Sequence, residues 1–383
     1  MPLLNTLSRL PLVITVLVAV LTAPLSAPLL AQGRIDVLNS RGQIAPLGGA
    51  TVVRETLSQV SFRRGGPDAN VENRKTEFVV KVVYGPGSDA WNEGLSARAG
   101  NRLQEAATLL TTASHDSEPS WVAPLALLEL AEVQALRGAS NLPAAQAAIQ
   151  RFLTEFPDHR VLPRALLLSA RFAAQSGDVG AAEAAVQQVI DLAQQKKVTP
   201  DWAARAHITM GQEQLASGDG SAAAQSFAAA TSASESALRD LGRRVDLQPV
   251  IEALALTARS GAGGALLAQG QVSSARSFFQ QLAKDGEDDP AIAAAAGNGL
   301  AEADFKDDKL KDAQLGFARI AVTGASVPDQ HAKALYYLGQ CASALDLKGL
   351  EKNGRQKARD YYNEVQERYP ESHWARLSQK SNP

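Results

Sequence analysis

A triplet recurs seven times along this chain: a small residue, an apolar or aromatic residue four positions later, and another apolar residue three after that. The instances are Ala106, Leu110, Ala113; Ala145, Ile149, Phe152; Ala182, Val186, Val189; Ala223, Phe227, Ala230; Ala275, Phe279, Leu282; Ala313, Phe317, Ile320; and Ala358, Tyr362, Val365. Positions i, i+4 and i+7 share one face of an α-helix, so the small residue admits a neighbouring helix and the two larger ones fill the space beside it. Repeating one such face over hundreds of residues predicts stacked helix pairs rather than a closed globule.

The intervals between triplets support this. Five residues before three of the alanines stands a glycine, Gly177, Gly218 or Gly270, and the first two are followed by Asp178 and Asp219. Glycine ends one helix and aspartate caps the next. Seven residues before those glycines lie Ala170, Gly211 and Gly263, small residues at which the first helix of each pair would cross its neighbour closely. Successive marker alanines are 37 to 52 residues apart. The widest interval, Ala223 to Ala275, contains Leu241 to Leu256, read as an extended or extra helix, and Lys348 to Gln356 reads as a charged insertion in the last pair.

Composition agrees with helices packed on small side chains. Hydrophobic residues make up 45% of the 383 residues and aromatics only 5%. The net charge of −2 and a pI near 6.3 offer no long-range positive field, which argues against nucleic acid as a partner.

The first 85 residues follow other rules. Arg9 precedes an apolar run, Leu10 to Leu21, whose only polar member is Thr15, and a stretch rich in small residues follows from Ala23 to Ala31. This layout is that of an export signal, residues 1–31, with cleavage expected after Ala31 and a periplasmic or secreted location for the rest. The alternative is an uncleaved membrane anchor, although Pro24 and Pro28 interrupt the span from Leu10 to Ala31. Residues 32–85 then show short runs rich in Val, Ile, Phe and Thr, namely Ile35 to Leu38, Ala50 to Glu55, Gln59 to Arg63 and Glu77 to Tyr84. Turns are expected between them at Ser40 to Gly42, Leu47 to Gly49 and Gly65 to Asn70, giving a small β-rich module. From Ser88 the period lengthens to that of a helix, with Ser88 or Asp89 placed to cap a helix before Trp91.

Chemistry-bearing patterns are sparse. His115, His159, His207, His331 and His373 are dispersed without the i, i+4 pairing of a helical metal site, and the only cysteine is Cys341, so neither a metal nor an intrachain disulfide is expected. Gly261, Gly263 and Gly264 lie in an Ala- and Leu-rich helical stretch rather than after a strand, which rejects a phosphate loop. Asp285 to Asp289 and Asp304 to Asp308 lack the alternating ligands of a calcium loop and read as solvated turns. Arg63-Arg64 and Arg243-Arg244 read as surface pairs. No cofactor is called for, and the chain is not expected to be an enzyme.

The helical part, residues 88–378, resembles the tetratricopeptide repeat family, most clearly at Met210-Gly211, Gly218-Asp219, Ala223, Phe227 and Ala230, and at Ala358, Tyr362, Val365 with Tyr369-Pro370. Pro157 fills the same terminating place in the second pair. Its spacing exceeds the family's period of about 34 residues. The N-terminal module is similar to Sm-like or SH3-like β-modules through Asp36-Val37-Leu38, Arg41-Gly42 and Val53-Arg54-Glu55-Thr56. The fold class expected is thus mainly α, an α-solenoid of about seven helix pairs preceded by a small β-rich module.

The resemblance implies a non-catalytic scaffold that binds a protein or peptide on its concave face. It also implies that, counted from the small residue of each first helix, positions six and three before and one and four after face that groove. These include Arg164, Arg171, Arg205, Gln212, Asn298, Glu302, Lys333, Tyr336 and Gln340, with Leu167, Leu215 and Phe305 as apolar contacts. A monomer is favoured, because the polar segment Ser378 to Pro383 resembles a solubilising cap. The alternative is a cell-envelope assembly factor acting by self-association through its end helices.

Overall fold

The computed structural model describes residues 33–286, 288–370 and 372–381. The expected export signal at 1–31 lies outside the described residues.

Six short strands come first: β1 (Arg34–Leu38), β2 (Ile44–Gly48), β3 (Ala50–Glu55), β4 (Gln59–Arg64), β5 (Val71–Lys75) and β6 (Val79–Val83). They form two antiparallel three-stranded sheets, ordered β2-β1-β6 and β3-β4-β5, with Ile35 opposite Leu47 and Val82 in the first and Val60 opposite Arg74 and Glu55 in the second. Ile35, Val60 and Phe62 are buried between them. Two of these strands appear where only turns and loop were expected. β2 contains Pro46 and β5 is Val-Glu-Asn-Arg-Lys, so neither shows apolar alternation. Both are edge strands whose side chains stay solvated, and their identity comes from pairing with a core strand. Arg64 and Glu72, paired at 2.6 Å across β4 and β5, are part of that pairing.

Fifteen α-helices follow among the described residues: α1 (Asp89–Ala99), α2 (Leu103–Ala113), α3 (Val122–Leu136), α4 (Leu142–Glu155), α5 (Leu162–Gln175), α6 (Val179–Gln194), α7 (Asp201–Ala216), α8 (Gly220–Arg239), α9 (Gln248–Ala268), α10 (Val272–Asp285), α11 (Pro290–Lys306), α12 (Leu310–Thr323), α13 (Pro328–Leu347), α14 (Gly354–Arg368) and α15 (His373–Ser381). They stack as seven antiparallel pairs, α1/α2 to α13/α14, with α15 left over. The seven triplets fall on the seven second helices, and all 21 of their residues are buried. Ser88 caps α1, its side chain accepting from the Trp91 N–H at 3.3 Å. The wide interval before Ala275 holds no additional α-helix, only the 3-10 turn Val245–Leu247. It is taken up by a 20-residue α8, a 21-residue α9 and a loop at 240–247. α9 belongs to Val245–Ala268, the one stretch among the described residues long and apolar enough to cross a membrane, but here it packs between α8 and α10.

The crossing of helices depends on rings seated where a side chain is missing. A Cβ added at Gly211 of α7 would stand 2.9 Å from the Phe227 ring, and one at Gly261 of α9 only 2.3 Å from the same ring. Phe279 is held likewise between Gly263 of α9 and Gly299 of α11, each 2.3 Å from a hypothetical Cβ. Phe227 and Phe279 are therefore wedges between two consecutive first helices, that of their own pair and the next.

The turns within pairs share one backbone feature. Counting five residues back from the marker alanines gives Gly177, Gly218 and Gly270, as expected, and also Asn101, Asp308 and Asn353; all six have positive φ. Asn and Asp are the non-glycine residues that best tolerate the left-handed region. Asp178 and Asp219 then cap α6 and α8, accepting from Ala181 N–H at 3.0 Å and Ala222 N–H at 2.9 Å.

The β-region is bolted to the start of the solenoid. Fully buried Glu55 accepts from Arg160 Nε at 2.6 Å and from the Tyr84 hydroxyl at 2.7 Å, and Tyr84 stacks on Trp121 with centroids 4.5 Å apart. The Leu57 N–H donates to the Asp158 carbonyl at 2.7 Å, and Ser120 Oγ to the Val53 carbonyl at 2.7 Å. The loop before α9 reaches back as well. Arg244, expected at the surface, is mostly buried, pairs with Asp246 at 2.8 Å and donates to the Glu77 carbonyl at 3.2 Å.

Two predictions arise here. Gly263→Ala should lower stability by about 1–3 kcal/mol, because Phe279 is blocked on its far side by Gly299 and cannot yield. Gly180→Ala, on an exposed helical site with nothing closer than 3.8 Å, should be neutral or stabilising by at most about 1 kcal/mol; equal thermal midpoints for the two variants would contradict the wedge. The second concerns His159, which burial holds down to about 4 despite Glu55 at 3.7 Å, Arg160 adding to the depression. The unfolded chain protonates this residue near its ordinary 6.5, so between pH 6.5 and 4 the unfolded state binds more protons and stability falls as pH falls. The loss approaches roughly 3 kcal/mol below pH 4. Thermal melts of His159→Asn should decline less steeply than wild type across that window; parallel curves would refute the assignment.

Candidate binding groove

The first helices α3, α5, α7, α9, α11 and α13 turn one side toward the inside of the curved array, and α15 lies within that curve. Its Gln379 Nε2 donates to the Leu136 carbonyl at the end of α3, 3.3 Å away, while its Trp374 packs against Tyr336 and Tyr337 of α13 with centroids 5.7 and 6.0 Å apart. A cleft of about 310 Å³ remains between α15 and the solenoid wall, bounded by Gln212 and Leu215, by Thr257 and Gly261, by Glu302 and Lys333, and by Trp374 and Leu377. The described part of the segment expected as a solubilising cap, residues 378–381, belongs to α15. Ala375 is 1% exposed and Ser378 is fully buried, and only Ser381 and its predecessors to His373 belong to the described helix.

The nine residues expected to face the groove all lie on first helices, and most are already engaged. Arg164 of α5 donates to Glu132 at 2.7 Å and Glu129 at 3.1 Å, both on α3. Arg98 of α1 reaches the same two carboxylates, so four charges tie three successive first helices. Burial works against ionisation of Glu132, but Arg164, Arg98 and Arg171 outweigh it and hold this carboxyl below its ordinary range. Arg205 pairs with Asp201 one turn earlier at 2.8 Å and lies 5.4 Å over the Trp202 ring. Gln212 borders the cleft. Asn298 is fully buried and donates to the Gln330 carbonyl and side chain at 2.8 and 3.0 Å, joining α11 to α13 instead of facing a ligand. Of the three apolar contacts, Leu215 borders the cleft, whereas Leu167 packs against the core shared by α5, α6 and α7, and Phe305 against Tyr337.

Glu302, Lys333 and Tyr336 surround α15. Lys333, 5% exposed, pairs with Glu302 at 2.8 Å, and its Nζ stands 5.4 Å over Trp374. Glu302 also accepts from the Tyr337 hydroxyl at 2.6 Å. Gln340 Nε2 donates to the Tyr336 hydroxyl at 3.1 Å, and that hydroxyl lies 3.4 Å from Ser381 Oγ. Arg171 contributes at longer range. With Arg376 of α15 it flanks Glu213 of α7, where burial raises the carboxyl above its ordinary range and Arg376, Arg171 and Lys380 oppose the rise. Burial, with Arg171 beside it, brings Arg376 down to about 10 against the pull of Glu213 and Glu132.

Glu129, Glu132, Glu213, Trp374 and Arg376 went unrecognised in the sequence. The spacing of Trp374 and Leu377, beyond the Tyr369-Pro370 that ends the last pair, is the signal in the sequence for α15. The acidic turns are held by arginines: Arg276 of α10 meets Asp304 and Asp307 at 2.9 Å and joins the fifth pair to the sixth, whereas Arg259 of α9 meets Asp285 of α10 at 3.1 Å within the fifth pair. Among the described residues no group of three or more His, Cys, Asp or Glu is placed to hold a metal ion.

Paired helices stacked on one continuous interior, with first helices facing an inner groove, define an α-solenoid. Residues 333–372, spanning most of α13 and all of α14, match the tetratricopeptide repeat family model, so the chain carries that repeat at its C-terminal end, preceded by six pairs built on the same triplet. It is similar to a solved tetratricopeptide repeat protein from Parabacteroides merdae, at 12% identity over 77% of this chain and 96% of that one, with a TM-score of 0.43. It is likewise similar to pilF of Pseudomonas aeruginosa (16% identity, 67% and 97% covered, TM-score 0.34) and to the apo form of RapI (13%, 76% and 98%, 0.44). No curated protein matches the sequence.

The Glu302–Lys333 pair generates a prediction. Lys333→Met leaves a buried carboxylate without its cation and should cost roughly 3 kcal/mol, as should Glu302→Gln for the converse reason. The double variant removes both charges and should recover a large part of that loss in chemical denaturation; additive losses would show that the pair is not coupled.

Proposed function

We propose that this chain is a non-catalytic scaffold that binds a protein or peptide partner on the inner face of its solenoid, in an extracytoplasmic compartment. One observation carries the binding reading: successive first helices, with α15 packed beyond the last pair, border one interior surface that keeps a cleft of about 310 Å³. Extended concave surfaces of this kind suit peptides and helices. Self-association through the end helices finds less support, since the β-region covers the first pairs and α15 packs on the last. The location rests on the apolar run Leu10 to Leu21 and the small-residue stretch to Ala31. Cys341 suits export, because burial pushes its thiol up to about 12 and keeps it unreactive.

A photo-crosslinking amino acid placed at Gln212 or Thr257 on the inner face should capture a partner in an envelope fraction, whereas the same group at Glu183 or Gln187, outside the groove on α6, should not. Capture from α6 alone would overturn the assignment of the surface. The crosslinker-bearing chain itself should begin at Gln32; an intact N-terminus in the cytoplasmic fraction would overturn the location.

A further inference from the structure

Among the described residues, all but one of the glycines beyond the first turn of a helix are held at that size by a neighbour: a Cβ added to any of them would stand 3.0 Å or less from another atom. The exception is Gly264 of α9, where a Cβ would meet only the end of the Leu215 side chain, at 3.7 Å, an ordinary contact. Alanine would fit there and would make a more stable helix. No contact within the chain therefore requires the missing side chain. Its effect is to keep open the cleft of about 310 Å³, which Gly264 borders together with Leu215, Ala268 and Leu377.

Two polar side chains on the same cleft, each more than nine-tenths buried, have hydrogen-bonding capacity that the chain leaves unused. Ser260, one turn before Gly264, is 8% exposed, and its hydroxyl has no partner among the described residues. Gln330 of α13 is 5% exposed; its side-chain oxygen accepts from Asn298 at 3.0 Å, while its amide N–H groups have no partner among the described residues. Buried polar groups in folded proteins are otherwise nearly all paired. The charges beside them are matched, Lys333 with Glu302 at 2.8 Å and Asp329 with the Trp374 indole, and Lys306 stands at the exposed rim. The cleft thus combines an apolar wall with two neutral donors.

We infer that this cleft is a pocket for one uncharged apolar side chain, of leucine to phenylalanine size, presented by an extended segment of the partner, with Ser260 and Gln330 donating to the backbone carbonyls of that segment. The inference rests on the binding reading above and deepens it by naming what the surface selects. A volume of about 310 Å³ lies at the lower end of the roughly 300–1,000 Å³ found for ligand sites, which is room for a single anchor. A charged side chain would give up its hydration there and meet only charges already paired. A partner helix would bring carbonyls bonded within itself and leave both donors unused, whereas the carbonyls of an extended segment are available to accept.

The test selects random dodecapeptides displayed on phage against the full chain, and the most enriched sequence, capped and fluorescently labelled, is the probe. It should carry an uncharged apolar anchor, and replacing that anchor by alanine should weaken binding about 30-fold in fluorescence anisotropy. Gly264→Leu, which fills the pocket from α9, should weaken the parent peptide by a similar factor but the alanine-substituted peptide by less than about twofold, because both changes remove the same contact. Ser260→Ala should cost about fivefold. Gly264→Ala guards against misfolding: it should keep or raise the thermal midpoint and still bind the parent peptide about threefold more weakly. The proposal is overturned if Gly264→Leu or Gly264→Ala, at a wild-type midpoint, binds the parent peptide as tightly as wild type does, if Gly264→Leu weakens both peptides equally, or if the enriched sequences share a charged anchor. Capture of the peptide by a photo-crosslinker at Thr257 alongside such a failure would preserve the inner face as the binding surface and discard only the pocket, whereas failure to enrich any peptide would discard both.

Discussion

The whole array depends on aromatic rings fitted over missing side chains. Phe227 lies between Gly211 and Gly261, Phe279 between Gly263 and Gly299, and Tyr362 against Gly339, with a hypothetical Cβ at Gly339 only 2.4 Å from the ring. Each ring touches a first helix of its own pair, and two of them also reach the first helix of the next, so one side chain sets both the crossing within a pair and the step between pairs. Glycine in a helix interior costs about 1 kcal/mol relative to alanine. Here that cost is offset by burying a ring in full contact on both faces, which no larger residue at those positions would permit.

Repeated steps of this kind bend the stack, and two further contacts settle where its ends go. The β-region is held on the first pairs by Glu55, Arg160, Tyr84 and Trp121, and reaches the loop before α9 through Arg244. The far end folds inward, so that Gln379 meets Leu136 across 243 positions of sequence. Inter-pair ion pairs such as Arg276 with Asp304 and Asp307 decorate the outside of this path. Being exposed, they add little to stability individually.

The interior of the curve is consequently a lined and partly filled surface. Its charges are largely matched within the chain: Arg98 and Arg164 with Glu129 and Glu132, and Lys333 with Glu302. What distinguishes the stretch near α15 is an aromatic bed, Tyr336, Tyr337 and Trp374, beside a cleft that no side chain fills. An apolar bed with few unmatched charges is the composition expected at the centre of a peptide-binding surface.

The sequence by itself determined the seven second helices, their buried triplets and the turns between paired helices, because helix periodicity and left-handed turn residues are local properties of consecutive positions. The three turns at Asn101, Asp308 and Asn353 were legible in the same way, once asparagine and aspartate are read as glycine's substitutes at positive φ. The edge strands β2 and β5 were not, since hydrogen bonding to a neighbour rather than any pattern of their own makes them strands. Membership of the groove divided in the same manner. Position along a first helix put Gln212, Glu302 and Lys333 beside the cleft, but only the curvature summed over all pairs decided that Asn298 would be sealed against Gln330 and that Gln379 of the last helix would reach Leu136. Curvature accumulates from many small crossings, and no short window of sequence contains it.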